Sequence, residues 1–241
     1  MLKRICIAVA ILLLSTAVLA ESRPVITLNT AGNRPLNDPE MTGFMDQVAA
    51  EAFRRIGYQL QTVKLPAERG LINSNLGIED GEMGRIAGLQ RTYPNLIQVK
   101  EKIMDWEFVA VGDQNDSVNG WKSLAGRSVA FVNGWKILER SVPKEADIIK
   151  VRGEEQLLVM LQRNRVEFII YERWGILALL EKYQSTKKVF EPPLIVKELF
   201  IYLHKKHSKL IGPLENALIN MKQDGTYKDI EDRVLTGRFK R

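Results

Sequence analysis

Asp80-Gly81-Glu82-Met83-Gly84-Arg85-Ile86-Ala87-Gly88-Leu89 follows a helix-like segment and precedes a long apolar-rich run, the setting of a core strand. Such a strand should be built of Val, Ile or Leu. This one carries Glu82 and Arg85. Two charges at a buried strand end cost several kcal/mol unless they are paired or met by a charged ligand. Residues three apart in a strand point to opposite faces, so Glu82 and Arg85 should diverge unless Gly84 bulges the chain.

Outward from this stretch the pattern is regular. Pro24 to Thr30 reads as a first strand, and a turn-rich loop runs from Ala31 to Pro39. Asp46 to Ile56 is an amphipathic helix with Val48, Ala49, Ala52, Phe53 and Ile56 on one face and Gly57 as its stop. Tyr58 to Leu65 alternates like a strand, and Glu68 to Leu76 reads as a helix. Strand, helix, strand, helix and strand in this order imply a parallel sheet with helices on its faces.

The plan then restarts. Phe108 to Val111 is an apolar strand that runs into the polar cluster Gly112 to Ser117, a good boundary. Strands are expected at Arg127 to Val132, Asp147 to Val151 and Val166 to Tyr171, with helices at Trp135 to Arg140, Glu154 to Arg163 and Trp174 to Lys182. Pro192-Pro193 interrupts this second unit, Ile195 to Leu203 is strand-like, and two helices (209–221 and 226–235) close the chain around Asp224-Gly225.

Composition bounds the function. Lys3 and Arg4, the apolar run Ile5 to Leu14 and the small residues up to Ala20 form a secretory signal, with cleavage expected near Ala20. The only cysteine of the 241 residues, Cys6, lies inside that segment. The exported remainder therefore has neither a disulfide framework nor a thiol nucleophile. Without Lys3 and Arg4 the formal charge of +6 falls to +4, and the basic residues are scattered among acids. Nucleic acid is a poor partner for that distribution. The two histidines, His204 and His207, sit in one charged segment, so no Ser-His-Asp set or metal-ligand spacing is present, and neither metal nor cofactor is expected.

The order of elements, together with Thr42-Gly43-Phe44, Gly77 to Asp80, Leu124 to Val132 and Asp224-Gly225-Thr226-Tyr227, resembles the periplasmic solute-binding proteins of family 3, the polar amino acid type. The resemblance runs from about Pro24 to Leu235. It implies an α/β, two-lobed periplasmic-binding-protein-like fold of type II, each lobe a mostly parallel sheet flanked by helices, with two crossovers. The crossings are expected near 111–113 and 193–197. Lobe 1 then takes residues 21–111 with 198–241, and lobe 2 takes 112–197. It further implies a monomer that closes on a small solute by hinge motion and serves an inner-membrane permease or a sensor.

Ligands of such lobes bind outside the carboxyl ends of the strands. The resemblance puts Arg85 near a ligand-contacting position, where a guanidinium suits an anion; the alternative is an internal pair with Glu82 or Glu68. Arg91 falls within one residue of the arginine that holds an amino acid's carboxylate, although its lead-in, Ala87 to Gln90, lacks the usual hydroxyls; it can equally be a surface residue. Glu172 stands where the family has an aspartate for the ligand's ammonium, against a rim salt bridge with Arg173. Asn33 and Arg34 occupy the place of an aromatic platform. Trp135 replaces a hydroxyl after Gly134 and either stacks on the ligand or plugs the cleft. Arg69 heads a helix at the cleft mouth. Four arginines at one cleft favour an organic anion over a neutral amino acid. A dehydratase-like enzyme using a cleft glutamate, and an interaction module built on Trp106, Trp121 and Trp135, are the alternatives.

Overall fold

The computed structural model describes residues 23–239 of the chain. The secretory segment with its cleavage point, and the last two basic residues of the tail, lie outside them. The described part is a mixed α/β structure of two lobes.

In the first lobe, β1 (Val25–Thr30) pairs in parallel with β2 (Gln59–Lys64) and β3 (Gly81–Arg85). Helix α1 (Phe44–Arg55) buries Phe44, Met45, Val48, Ala49, Ala52 and Phe53, the stripe its periodicity implied. Helix α2 (Ala67–Leu76) lies over β1 and β3 and ends at Gly77, whose φ of 77° is the left-handed stop that glycine supplies. A 3-10 turn (Leu89–Arg91) and the short β4 (Leu96–Gln98) lead into β5 (Met104–Gly112).

The second lobe repeats the plan. Strand β6 (Ser128–Val132) lies parallel between β7 (Asp147–Val151) and β8 (Phe168–Glu172). Helices α3 (Lys136–Ser141), α4 (Glu154–Gln162) and α5 (Arg173–Lys182) follow β6, β7 and β8 in turn. A two-residue β9 (Lys188–Val189) pairs with β5. Strand β10 (Ile195–His204) then returns to the first lobe, where α6 (Ile211–Gln223) and α7 (Thr226–Glu231) complete it.

The strand order is β2-β1-β3-β10-β5-β8-β6-β7, so β10 and β5 join the two halves. Ile195–Leu199 of β10 pairs antiparallel with Met104–Phe108 of β5, and Phe200–Leu203 pairs antiparallel with β3. One strand thus belongs to both sheets. One large core packs α1 and α6 against the first sheet, and two further clusters cover the two faces of the second. Trp174 of α5 and the C-terminal Phe239 both enter the first core, so α5 touches both lobes.

The Asp80–Leu89 stretch is a strand only as far as Arg85. Gly84 has a φ of 76°, and β10 steps past it: Phe200 pairs with Arg85 and Ile201 with Met83. This is a β-bulge at a glycine, where one extra residue re-aims the side chains that follow. Alternation is broken there, so Arg85 returns to the side of Glu82.

Candidate functional site

Pairing registers bring the candidate residues' strand ends together. Arg85, at the carboxyl end of β3, lies beside Phe200, one residue after Leu199 pairs with Met104. Glu172, at the carboxyl end of β8, lies opposite Phe108, where the same β5–β10 ladder ends. The ends of the parallel strands in both lobes therefore abut the two connecting strands. That is where an open α/β sheet presents a ligand site.

On the first lobe's edge, Glu82 is fully buried and ion-paired with Arg85, which also donates to the Ala67 carbonyl. Burial pushes the Glu82 carboxyl up, against the pull of the Arg85 guanidinium. Room for it comes from Gly70, where a Cβ would stand 2.9 Å from Glu82 Oε2. Behind it, Asn29 donates to the Gly70 carbonyl, Ser74 Oγ and Glu79, and Ser74 donates to the Gly81 carbonyl. The two charges that mark this strand thus satisfy one another. Arg69, at the start of α2, and Arg91, in the 3-10 turn, are exposed and have no ion pair among the described residues. The Tyr93 hydroxyl donates to Glu68 at 2.7 Å, which draws the turn that carries Arg91 toward the helix start that carries Arg69. In the first loop Arg34 turns back to Glu40 and Asp38, while Asn33 accepts from Lys64.

The second lobe's edge is aromatic. Gly134, with a φ of 87°, turns the chain after β6 and delivers Trp135. The indole stacks on Tyr171 with centroids 4.8 Å apart and an interplanar angle of 22°. Phe108 meets it edge-on at 5.3 Å, and Trp106 stands 5.8 Å away at 52°. Tyr171 is buried and its hydroxyl donates to Glu154 at 2.8 Å. Burial, then the Glu154 charge, push the Tyr171 phenol up, and the Asn33 side chain from the other lobe opposes them. Trp135 itself is only partly buried.

Glu172 caps α5: its carboxylate accepts from the Trp174 N–H at 3.1 Å and from the Gly175 N–H. Burial pushes this carboxyl up to about 7, while the two backbone donors oppose the rise. Arg173 does not pair with it. The Arg173 guanidinium, 3% exposed, is held by Glu107 on β5 and by both oxygens of Glu191, at the start of the segment that leads into β10. The chain needs Gly175 here, because a Cβ would lie 2.2 Å from Glu172 Oε1.

The seven residues expected at the site therefore divide. Arg69 and Arg91 stand exposed at the first lobe's edge, and Trp135 heads the second. Arg85 and Glu172 lie at the two strand ends but are engaged internally, and Arg34 is occupied by its own loop. Asn33 faces Tyr171. Trp106, Phe108 and Tyr171 surround Trp135, and Glu154 holds Tyr171, although none was expected as a ligand contact. Tyr171, next to the end of β8, carried a local signal, whereas Trp106 and Phe108 lie inside β5 and Glu154 opens a helix. Three surface recesses, beside α1, α4 and α5, include none of the seven.

No protein-family profile matches the chain. An uncharacterised protein of Shewanella oneidensis is 23% identical over 227 residues, covering 87% of this chain and 86% of its own. Among solved structures, the L-cystine solute receptor of Neisseria gonorrhoeae, in its unliganded open conformation, superposes with a TM-score of 0.69 at 16% identity, over 88% of this chain and 93% of that one. The chain has the two-lobed fold of the periplasmic solute-binding proteins. The GluR0 ligand-binding core of Nostoc punctiforme, in complex with L-glutamate, gives 0.67 at 17% identity over 86% and 98%. ArgBP of T. maritima, as the P235GK mutant, gives 0.66 at 17% identity over 87% and 94%. Both strand-end edges described above adjoin the β5–β10 ladder.

Proposed function

We propose that the chain is a periplasmic solute-binding protein that captures a small organic anion between its lobes and presents it to an inner-membrane permease or sensor, acting as a monomer. The observation that carries this reading is the meeting of the strand ends of both lobes at the β5–β10 ladder, with Arg69 and Arg91 exposed there and unpaired among the described residues. Guanidinium groups bind carboxylate and phosphate in a bidentate fork. The fold neighbours named for cystine, glutamate and arginine support a small solute. The secretory pattern before Glu21 supports the compartment. In this reading the chain passes between lobes near 111–113 and 193–197, beside the stretch where β5 and β10 pair.

The test is thermal unfolding of the protein lacking residues 1–20 against a panel of carboxylates, phosphates and amino acids. A ligand at a hundred times its Kd stabilises by about 2.7 kcal/mol, enough to move Tm by several degrees. Arg69→Ala and Arg91→Ala are expected to weaken that shift without lowering the Tm of the free protein. An unmoved Tm across the panel, together with no small molecule released on denaturing the purified protein, would sink the reading.

A further inference from the structure

The chemistry at the two edges narrows the solute. A zwitterionic amino acid needs a free carboxylate for its ammonium. Glu172 already accepts from the N–H groups of Trp174 and Gly175, and burial pushes its carboxyl up to about 7, which makes it a weak counter-charge; Glu154 accepts from Tyr171. The cations left for a solute's anionic group are Arg69 and Arg91, because Arg85 is bound to the buried Glu82. What the second lobe offers instead is a braced indole. Tyr171 supports one face of Trp135, Phe108 its edge, and Trp106 its flank. Tyr171 is itself held by Glu154. A partly buried ring fixed on several sides loses little freedom when it receives a second ring, and flat groups stack on such a surface.

We infer that the solute is a small aromatic acid, whose ring lies on Trp135 and whose anionic group, a carboxylate or a phosphate, reaches the unpaired guanidiniums of Arg69 and Arg91. This rests on the solute-binding reading above and adds the ring to it. Trp135 is then the specificity-determining residue: it takes the place where the family resemblance implies a hydroxyl, and it exchanges a hydrogen bond for a stacking surface.

The experiment is calorimetric titration of the wild-type protein with benzoate, phenyl phosphate, acetate, inorganic phosphate, L-glutamate and L-phenylalanine, read together with tryptophan fluorescence. Benzoate or phenyl phosphate is expected to bind at least ~10-fold more tightly than its ring-less counterpart, as stacking of this kind allows. The preferred one of the two identifies the anion. Trp135→Ala should abolish the margin and Trp135→Phe should keep most of it; if Trp135→Ala does not fold, the wild-type margin and Trp135→Phe still decide. Equal binding of benzoate and acetate, tighter binding of either amino acid, or a margin that survives Trp135→Ala would overturn the aromatic assignment and leave the solute-binding reading standing. Failure of all six to bind would overturn the aromatic assignment; the absence of any co-purifying molecule would then remove the solute-binding reading as well.

Discussion

Glu82, in β3, and Glu172, at the carboxyl end of β8, lie in equivalent strands of the two lobes, both buried, and the protein keeps them by different means. Glu82 is held by a side-chain cation that a glycine bulge brings to its face. Glu172 is held by two backbone N–H groups at the start of α5, with no cation on its oxygens among the described residues, and burial raises its carboxyl to about 7. The first is an ion pair that fails if one partner is removed. The second is a cap whose strength follows its protonation.

The largest expected effect breaks the first arrangement. Arg85→Ala leaves Glu82 an uncompensated buried charge, which costs about 3–5 kcal/mol at neutral pH. Urea denaturation at pH 7 should show it as a lowered midpoint. The loss should shrink as pH falls, because Glu82 already holds its proton more tightly than an ordinary glutamate. A loss below 1 kcal/mol at pH 7 would mean that Arg85 is not its counter-charge.

The second effect concerns the cap. Glu172 has its carboxyl raised to about 7 in the folded protein, from 4.5. The folded state therefore binds more protons than the unfolded state between these values, and stability falls as pH rises through them. The contribution is fully present below about 4.5 and lost as pH passes 7, on the order of 3 kcal/mol in all. Glu172→Gln should flatten that slope in denaturation curves taken from pH 5 to 8; an unchanged slope would place the titrating group elsewhere.

Smaller effects sharpen the contrast. Gly175→Ala pushes a methyl group into Glu172 Oε1 and should remove the cap, lowering stability by about 1–2 kcal/mol. Gly84→Ala strains a backbone held at a φ of 76° and should cost about 1–2 kcal/mol. If Arg85→Ala removes much of the Gly84→Ala penalty in a double-mutant cycle, the bulge exists to make the ion pair.

Much of this was legible from residue order. The alternation of strands and helices, the glycine stops and the apolar faces are local signals and gave two α/β units of similar plan; their arrangement as two lobes came from the family resemblance. The bulge at Gly84 was legible only as an option. Its outcome depended on the β10 register, which is set some 115 residues away in the chain. The full length of β5 was obscured, since Asp105 and Glu107 interrupt its apolar pattern. Glu107 is there for Arg173, a pairing across 66 residues that no local pattern encodes. Trp135 was visible as a departure. That Tyr171 braces it was not, because stacking partners on different strands leave no spacing to read.

Arg173 gives the junction a further property. Its two carboxylate partners lie on the outgoing strand β5 and in the segment entering the returning strand β10, which are themselves hydrogen-bonded over five residue pairs. Two ribbons pinned side by side act as a leaf spring: pliant across their plane, stiff within it. A joint of that kind favours one axis of bending, and in the proposed solute-binding reading that axis would set the path along which Trp135 and the two arginines approach.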